Sequence, residues 1–296
     1  MARLSFTHRC LQGIGKLPLP VLHALGGLLG WLVFLVTPRY RKRLMENIRN
    51  AQLGHTFWDY TLLVCRNVRE SGKAVLELLA AWSRQPAEIA GWTRHTTGWE
   101  IVEKAQQSGK GILFVTPHLG AYEIGGHFLA SRLAILAMFK PPKLAWLAPL
   151  MMHGREKKDS DAVSADAQGV RKLLRTLKNG GSTMILPDQV PGQGDGEWVP
   201  FFGRPAYTMT LVPRLAVSTG AEVILFYAER LAWGRGFVIH FASLPAHFSG
   251  ERVHDVTLLN QAVEQLVRRS PEQYLWSYNR YKTPANAPTR ATSDNA

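Results

Sequence analysis

Residues 17–38, LPLPVLHALGGLLGWLVFLVTP, contain no Lys, Arg, Asp or Glu. A chain carrying such a run must bury it in a core or offer it to lipid. As a helix it would reach about 33 Å, enough to cross a hydrocarbon layer. Pro18 and Pro20 confine the helix to Pro20–Val36, and Gly26, Gly27 and Gly30 lower its intrinsic stability. No small-residue cleavage site follows Val36, only TPRYRKRLMENIRN, so the run reads as an uncleaved anchor rather than a signal peptide. A buried core helix is the competing reading. Arg39, Arg41, Lys42 and Arg43 form the denser of the two basic flanks, which favours a main domain on the cytoplasmic side of a membrane. The expected organisation is an anchor over 1–38, a main domain over 39–283 and a disordered tail, PANAPTRATSDNA, over 284–296.

Beyond the anchor the chain reads as α/β. Residues 57–82 hold apolar positions at helical spacing and predict one or two amphipathic helices. Short apolar runs at 111–116, 133–139, 182–186, 222–228 and 236–242 predict strands, with helices around 99–108, 123–131, 166–178, 208–219 and 255–269. That alternation argues a mixed, mostly parallel sheet flanked by helices. The chain's formal charge of +13 calls for an anionic partner, whether nucleic acid, acidic lipid or acidic protein. No nucleic-acid motif is present and the basic residues are scattered, which argues against the first. Cys10 and Cys65 have neither ligand spacing nor a disulfide framework, so the main domain fits a reducing compartment and no metal centre is expected.

One stretch carries chemistry. In GILFVTPHLGAYEIGG (111–126) a β-prone run ends at His118, with Glu123 five positions on. Ligand crevices of open α/β sheets lie beyond strand carboxyl ends, and a carboxylate five residues away across a strand-to-helix turn can fix the tautomer of the ring and stabilise its imidazolium. No GxSxG or HExxH motif accompanies the pair, so the nucleophile belongs to the substrate. HTTGWE repeats the spacing at His95 and Glu100, but no buried strand precedes His95, and Glu100 suits the first turn of a surface helix.

The blocks GWEIVEKAQQSGKGILFVTPHLGAYEIGG, LKNGGSTMILPDQVPGQGDGEWVPFFGRPAYT, AVSTGAEVILFYAER and SPEQYLWSYNRYK, with RYRKRLMENI before them, together resemble the bacterial lipid A biosynthesis acyltransferases, lauroyl- and myristoyl-type enzymes of the lysophospholipid acyltransferase superfamily. The resemblance covers roughly residues 17–283. It implies a membrane-associated enzyme of the bacterial inner membrane that moves a fatty acyl group from acyl carrier protein to a hydroxyl of a lipid A precursor. No cofactor beyond the phosphopantetheine of the donor is implied. His118 and Glu123 fall on the family's His-x4-Asp/Glu dyad, as general base and partner, with backbone N–H groups around Gly120 and Ala121 as expected oxyanion donors.

The same resemblance suggests substrate contacts. Arg155 sits where the family places an arginine downstream of the dyad, and a guanidinium suits a phosphate. Asp188 and Gln189, in PDQ, end another predicted strand. Phe201, Phe202 and Gly203 of FFGRP are expected to wall an acyl chain, and Arg204 and Arg230 are candidates for anionic groups. A different membrane lipid as acceptor, or a lipid hydrolase using the same dyad on water, are the alternatives.

Overall fold

The computed structural model describes residues 5–139, 146, 149–151, 160–192, 195–285 and 287–288, by backbone alone at 139, 160 and 161. The expected tail lies mostly outside these residues.

Helices α1 (Phe6–Gly15), α2 (Leu19–Val36), α3 (Pro38–Asn50) and α4 (Phe57–Ser83) lead the chain. The 57–82 pattern is one continuous helix, started by a reciprocal Thr56/Asp59 cap. α2 packs antiparallel on α4: His23 meets Glu77, and Gly26 and Gly30 meet Gly72, Lys73 and Val68. A Cβ on Gly30 would sit 2.0 Å from the Val68 carbonyl oxygen, and one on Gly72 would sit 1.9 Å from that of Gly26. Gly26 and Gly30 of α2, with Gly72 of α4, thus permit backbone-to-backbone contact, while Gly27 has open space.

After α5 (Pro86–Ala90) the sheet begins. Strands β1 (Thr93–Thr97), β2 (Ile112–Val115), β3 (Ile135–Phe139), β4 (Ser160–Ser164), β5 (Ser182–Ile185), β8 (Glu222–Arg230) and β9 (Phe237–Ser243) form one sheet ordered β1-β9-β8-β2-β5-β3-β4. Every pairing is parallel except β8 with β9. β2 and β5 are buried at every position, as the central strands of a covered sheet must be. Helices α6 (Trp99–Gln107), α7 (Tyr122–Ala130), α8 (Ala167–Lys178), α9 (Leu211–Thr219) and α10 (Arg252–Arg269) cover it, and two apolar cores result, one on each face.

Four strands lie outside the sequence expectation. β1 is an edge strand of polar residues, TRHTT, with no apolar run to announce it. β4, SDAVS, is short and polar. β6 (Gly196–Phe201) and β7 (Arg204–Met209) form a separate antiparallel hairpin. Pro200 faces Pro205 across it, one pair beyond the hydrogen-bonded Phe201–Arg204 pair that flanks the turn, so neither ring removes a ladder bond. The helix expected from 208 accordingly starts at Leu211.

Candidate active site

The parallel register pairs Val115 of β2 with Ile185 of β5. His118 and Asp188 each lie three residues past that pair, so two adjacent strand ends deliver them to one place. One Asp188 carboxylate oxygen accepts the His118 backbone N–H at 2.9 Å, and the other lies 2.8 Å from His118 Nδ1. Nδ1 facing a carboxylate is the protonated nitrogen, leaving the Nε2 lone pair as acceptor. Gln189 Nε2 meets it at 3.1 Å and donates. The imidazole is held at both nitrogens by PDQ, with 13% of its side chain exposed. The Tyr122 ring packs edge-on against it at 4.9 Å.

Burial alone would raise the Asp188 carboxyl, but the His118 charge, the two hydrogen bonds from His118 and the Arg280 guanidinium outweigh it and hold the group below the ordinary carboxylate value. Arg280 is itself buried, donating to the Tyr207 carbonyl at 2.9 Å and to Thr208 Oγ1 at 2.5 Å. Burial and the Asp188 charge together push the Tyr274 phenol well above its usual value, keeping it neutral.

The loop between β2 and α7 is clamped from two sides. Gly120 N–H donates to the Gln273 carbonyl at 3.0 Å and Ala121 N–H to the Ala228 carbonyl at 2.9 Å, while Leu275 N–H donates to the His118 carbonyl at 3.1 Å. These bonds already engage the two N–H groups expected to stabilise an oxyanion. Gly120 has φ +61°, and a Cβ there would lie 2.0 Å from the Ala228 oxygen. Only glycine fits. The segment 272–280 is fixed in turn by two buried asparagines, Asn67 bonding the Glu272 and Tyr274 carbonyls and Asn47 those of Trp276 and Tyr278. SPEQYLWSYNRYK is therefore the frame behind His118, a role no local pattern in it announces.

The family model for bacterial lipid A biosynthesis acyltransferases matches residues 4–283. The chain belongs to that family. It is 27% identical over 283 residues to the lipid A biosynthesis lauroyltransferase of Escherichia coli (strain K12), covering 93% of this chain and 90% of that one. It is 23% identical over 269 residues to the palmitoleoyltransferase of the same organism, covering 90% and 87%. A lipid A biosynthesis acyltransferase of Haemophilus influenzae is 26% identical over 293 residues, covering 94% and 89%.

On this acyltransferase the other expected residues fall as follows. Glu123 is half-buried in the first turn of α7, but the structure sets Asp188 rather than Glu123 on Nδ1 of His118. Gln189 joins the site directly. Arg155, with Lys157 and Lys158, lies outside the described residues. Phe202 and Gly203, at φ +47° and +70°, are the two-residue turn of the β6–β7 hairpin, whose right-handed twist favours positive φ at both positions. The buried Phe202 ring packs against Phe201 and Trp276 beneath Arg268. Arg204 covers the Tyr281 ring. Arg230, taken from sequence as a candidate for meeting anions, is buried and clamped by Glu77 and Glu70. His95 is exposed on β1, away from any strand end of the central sheet. Among the described residues no cluster of three His, Cys, Asp or Glu side chains is built to hold a metal ion.

Proposed function

We propose that the chain transfers a fatty acyl group from the thioester of acyl carrier protein to a hydroxyl of a lipid A precursor, at the cytoplasmic face of the inner membrane, with His118 as general base. The observation that carries the reading is the paired contact of Asp188 with His118. It orients the ring with Nδ1–H toward a depressed carboxylate and Nε2 as the basic atom. Nε2 takes the proton of the acceptor hydroxyl as that oxygen attacks the thioester carbonyl. Asp188 stabilises the imidazolium so formed. The C–S bond then breaks and the phosphopantetheine thiol leaves, receiving the proton from His118. Gln189, already on Nε2, yields its place to the hydroxyl and orients it.

Glu123 carries the family's second dyad position. In this reading it acts from the first turn of α7 beside Tyr122, where a carboxylate supports the positive charge gained by His118 at transfer. The positive end of the α7 helix dipole, at the close of the His118 loop, favours the oxygen that becomes negative. The excess positive charge speeds encounter with an acidic carrier protein and a phosphorylated lipid.

Mass spectrometry of products, after purified enzyme meets acyl carrier proteins of several chain lengths and a panel of lipid acceptors, tests the assignment. A single acyl group added to a lipid A precursor, abolished in His118→Ala, supports it. Free fatty acid as the main product, or preference for another lipid, replaces it with one of the alternatives.

A further inference from the structure

α2 turns Leu22, His23, Gly26, Gly30 and Phe34 inward and leaves Val21, Leu25, Leu28, Leu32, Leu35 and Val36 exposed. Gaps of three and four residues put the exposed set on one stripe, which nothing among the described residues covers. Exposed aromatic residues flank both ends. At the amino end stands Trp233, 84% exposed in the β8–β9 connection, whose neighbour Gly234 packs on Pro20. At the carboxyl end stand Phe57 and Trp58, 70% and 75% exposed, their rings 5.5 Å apart. Trp58 belongs to the helical series Trp58–Thr61–Cys65–Val68–Gly72, the face by which α4 meets α2. Because the two helices run antiparallel, Trp58 lies past the end of α2. Arg39, Lys42 and Arg43 are exposed immediately after it on α3.

A spanning α2 conflicts with what lies behind it. Its glycines bring its backbone onto α4, so crossing a bilayer would take α4 along. α4 carries Glu70, Lys73 and Glu77, and Glu70 and Glu77 are bonded to Arg230 of β8. Such charges at hydrocarbon depth, followed by a sheet strand with lateral backbone bonds, do not suit a membrane interior.

Resting on the membrane assignment above, we propose that α2 lies in the plane of one leaflet rather than across it. Its outer stripe sits among the acyl chains, Trp233 pins one end and Phe57–Trp58 the other, and the basic start of α3 contacts anionic head groups. The occupant of the apolar face is thus an anionic bilayer surface. The apolar stripe with a basic row beside it is the pattern of an interfacial helix. The leaflet that supports the enzyme also presents the acceptor lipid.

The ends of α2 distinguish the two orientations. Cys10, exposed ahead of α2, is one reporter in a Cys65→Ala background; Arg43→Cys, with Cys10→Ser and Cys65→Ala, is the other. Sealed inside-out and right-side-out vesicles from cells expressing the full chain are treated with a membrane-impermeant maleimide. Both reporters should react in the inside-out vesicles and both be protected in the right-side-out ones until detergent is added. Reporters reacting from opposite sides would overturn the in-plane placement while leaving membrane association intact. In parallel, flotation with phosphatidylglycerol-containing vesicles should fall about tenfold or more in Trp58→Ser/Trp233→Ser, since binding scales with the apolar area inserted. Activity on detergent-dispersed acceptor should stay near wild type. Unchanged flotation would remove the aromatic pins, and a wild-type chain that neither floats nor fractionates with membranes would end the membrane assignment itself.

Discussion

Asp188 grips His118 twice, with one carboxylate oxygen on the backbone N–H and the other on Nδ1. The first contact fixes where the residue stands and the second which nitrogen carries the proton. Side-chain replacement can separate them. In Asp188→Asn the new side chain would still accept the backbone N–H, but its amide nitrogen would face Nδ1 and favour the tautomer with the proton on Nε2, where a base is needed.

Asp188→Asn should therefore lower kcat by about 10²-fold or more with little change in KM, within the range that general-base catalysis contributes. Glu123→Gln, which leaves the Nδ1 contact intact, should cost less. Steady-state kinetics with an acyl thioester donor measures both. A near-normal Asp188→Asn beside a collapsed Glu123→Gln would hand the partner role to Glu123.

The same carboxylate gives a pH signature in stability. Its folded-state pKa lies below the ordinary value, so the unfolded chain takes up the proton first as pH falls. The stabilisation is complete above the unfolded pKa of about 3.9 and is lost on acidification through the lower folded value. Thermal melts in detergent from neutral pH down to the acid limit of solubility should show wild type losing Tm more steeply than Asp188→Asn. Parallel curves would show that Asp188 is not depressed.

Why did five strands and His118 declare themselves in sequence while the charge partner did not? β2, β3, β5, β8 and β9 are apolar runs because at least one face of each is buried, and burial is what hydrophobic pattern records. Polar β1 and β4 sit at the two edges, where solvent permits polar side chains, and the hairpin is masked by its prolines and by FG at its turn. His118 could be placed because a strand end is a local property. That β5 lies beside β2 is not local: β3 and β4 come between them in sequence yet stand on the far side of β5. Only this neighbour relationship turns PDQ from a strand end into the partner of a histidine 70 residues earlier.

The cluster joining α2, α4 and β8 sets the next expectation. Arg230 contacts both Glu77 oxygens and Glu70, and His23 Nε2 lies 2.7 Å from Glu77. Burial opposes the charge on both, yet each holds the other ionised, with Arg230 pushed up and Glu77 down. Arg230→Met strands buried carboxylates and should cost about 3–5 kcal/mol, whereas Arg230→Met with Glu77→Leu and Glu70→Gln should recover much of it. Denaturant unfolding of the detergent-solubilised protein reads this. Additive losses in the triple variant would show that the charges do not act as a unit.

Gly120 and Gly109 supply a matched pair for the clamp behind His118. Both have positive φ, at +61° and +70°, but a Cβ on Gly109 meets nothing within 4 Å while one on Gly120 would strike the Ala228 carbonyl. Alanine at either position carries a left-handed backbone cost of about 1–2 kcal/mol. Only at Gly120 must the loop also move, pulling Ala121 N–H from Ala228 and Gly120 N–H from Gln273. A shift of that loop carries His118 away from Asp188, and misplacement by about 1 Å is enough to cost 10²-fold in rate. Gly120→Ala should therefore depress kcat by tens-fold or more. Gly109→Ala should lower Tm modestly and leave kcat unchanged. Equal effects on kcat from both substitutions would mean that the clamp does not position the imidazole.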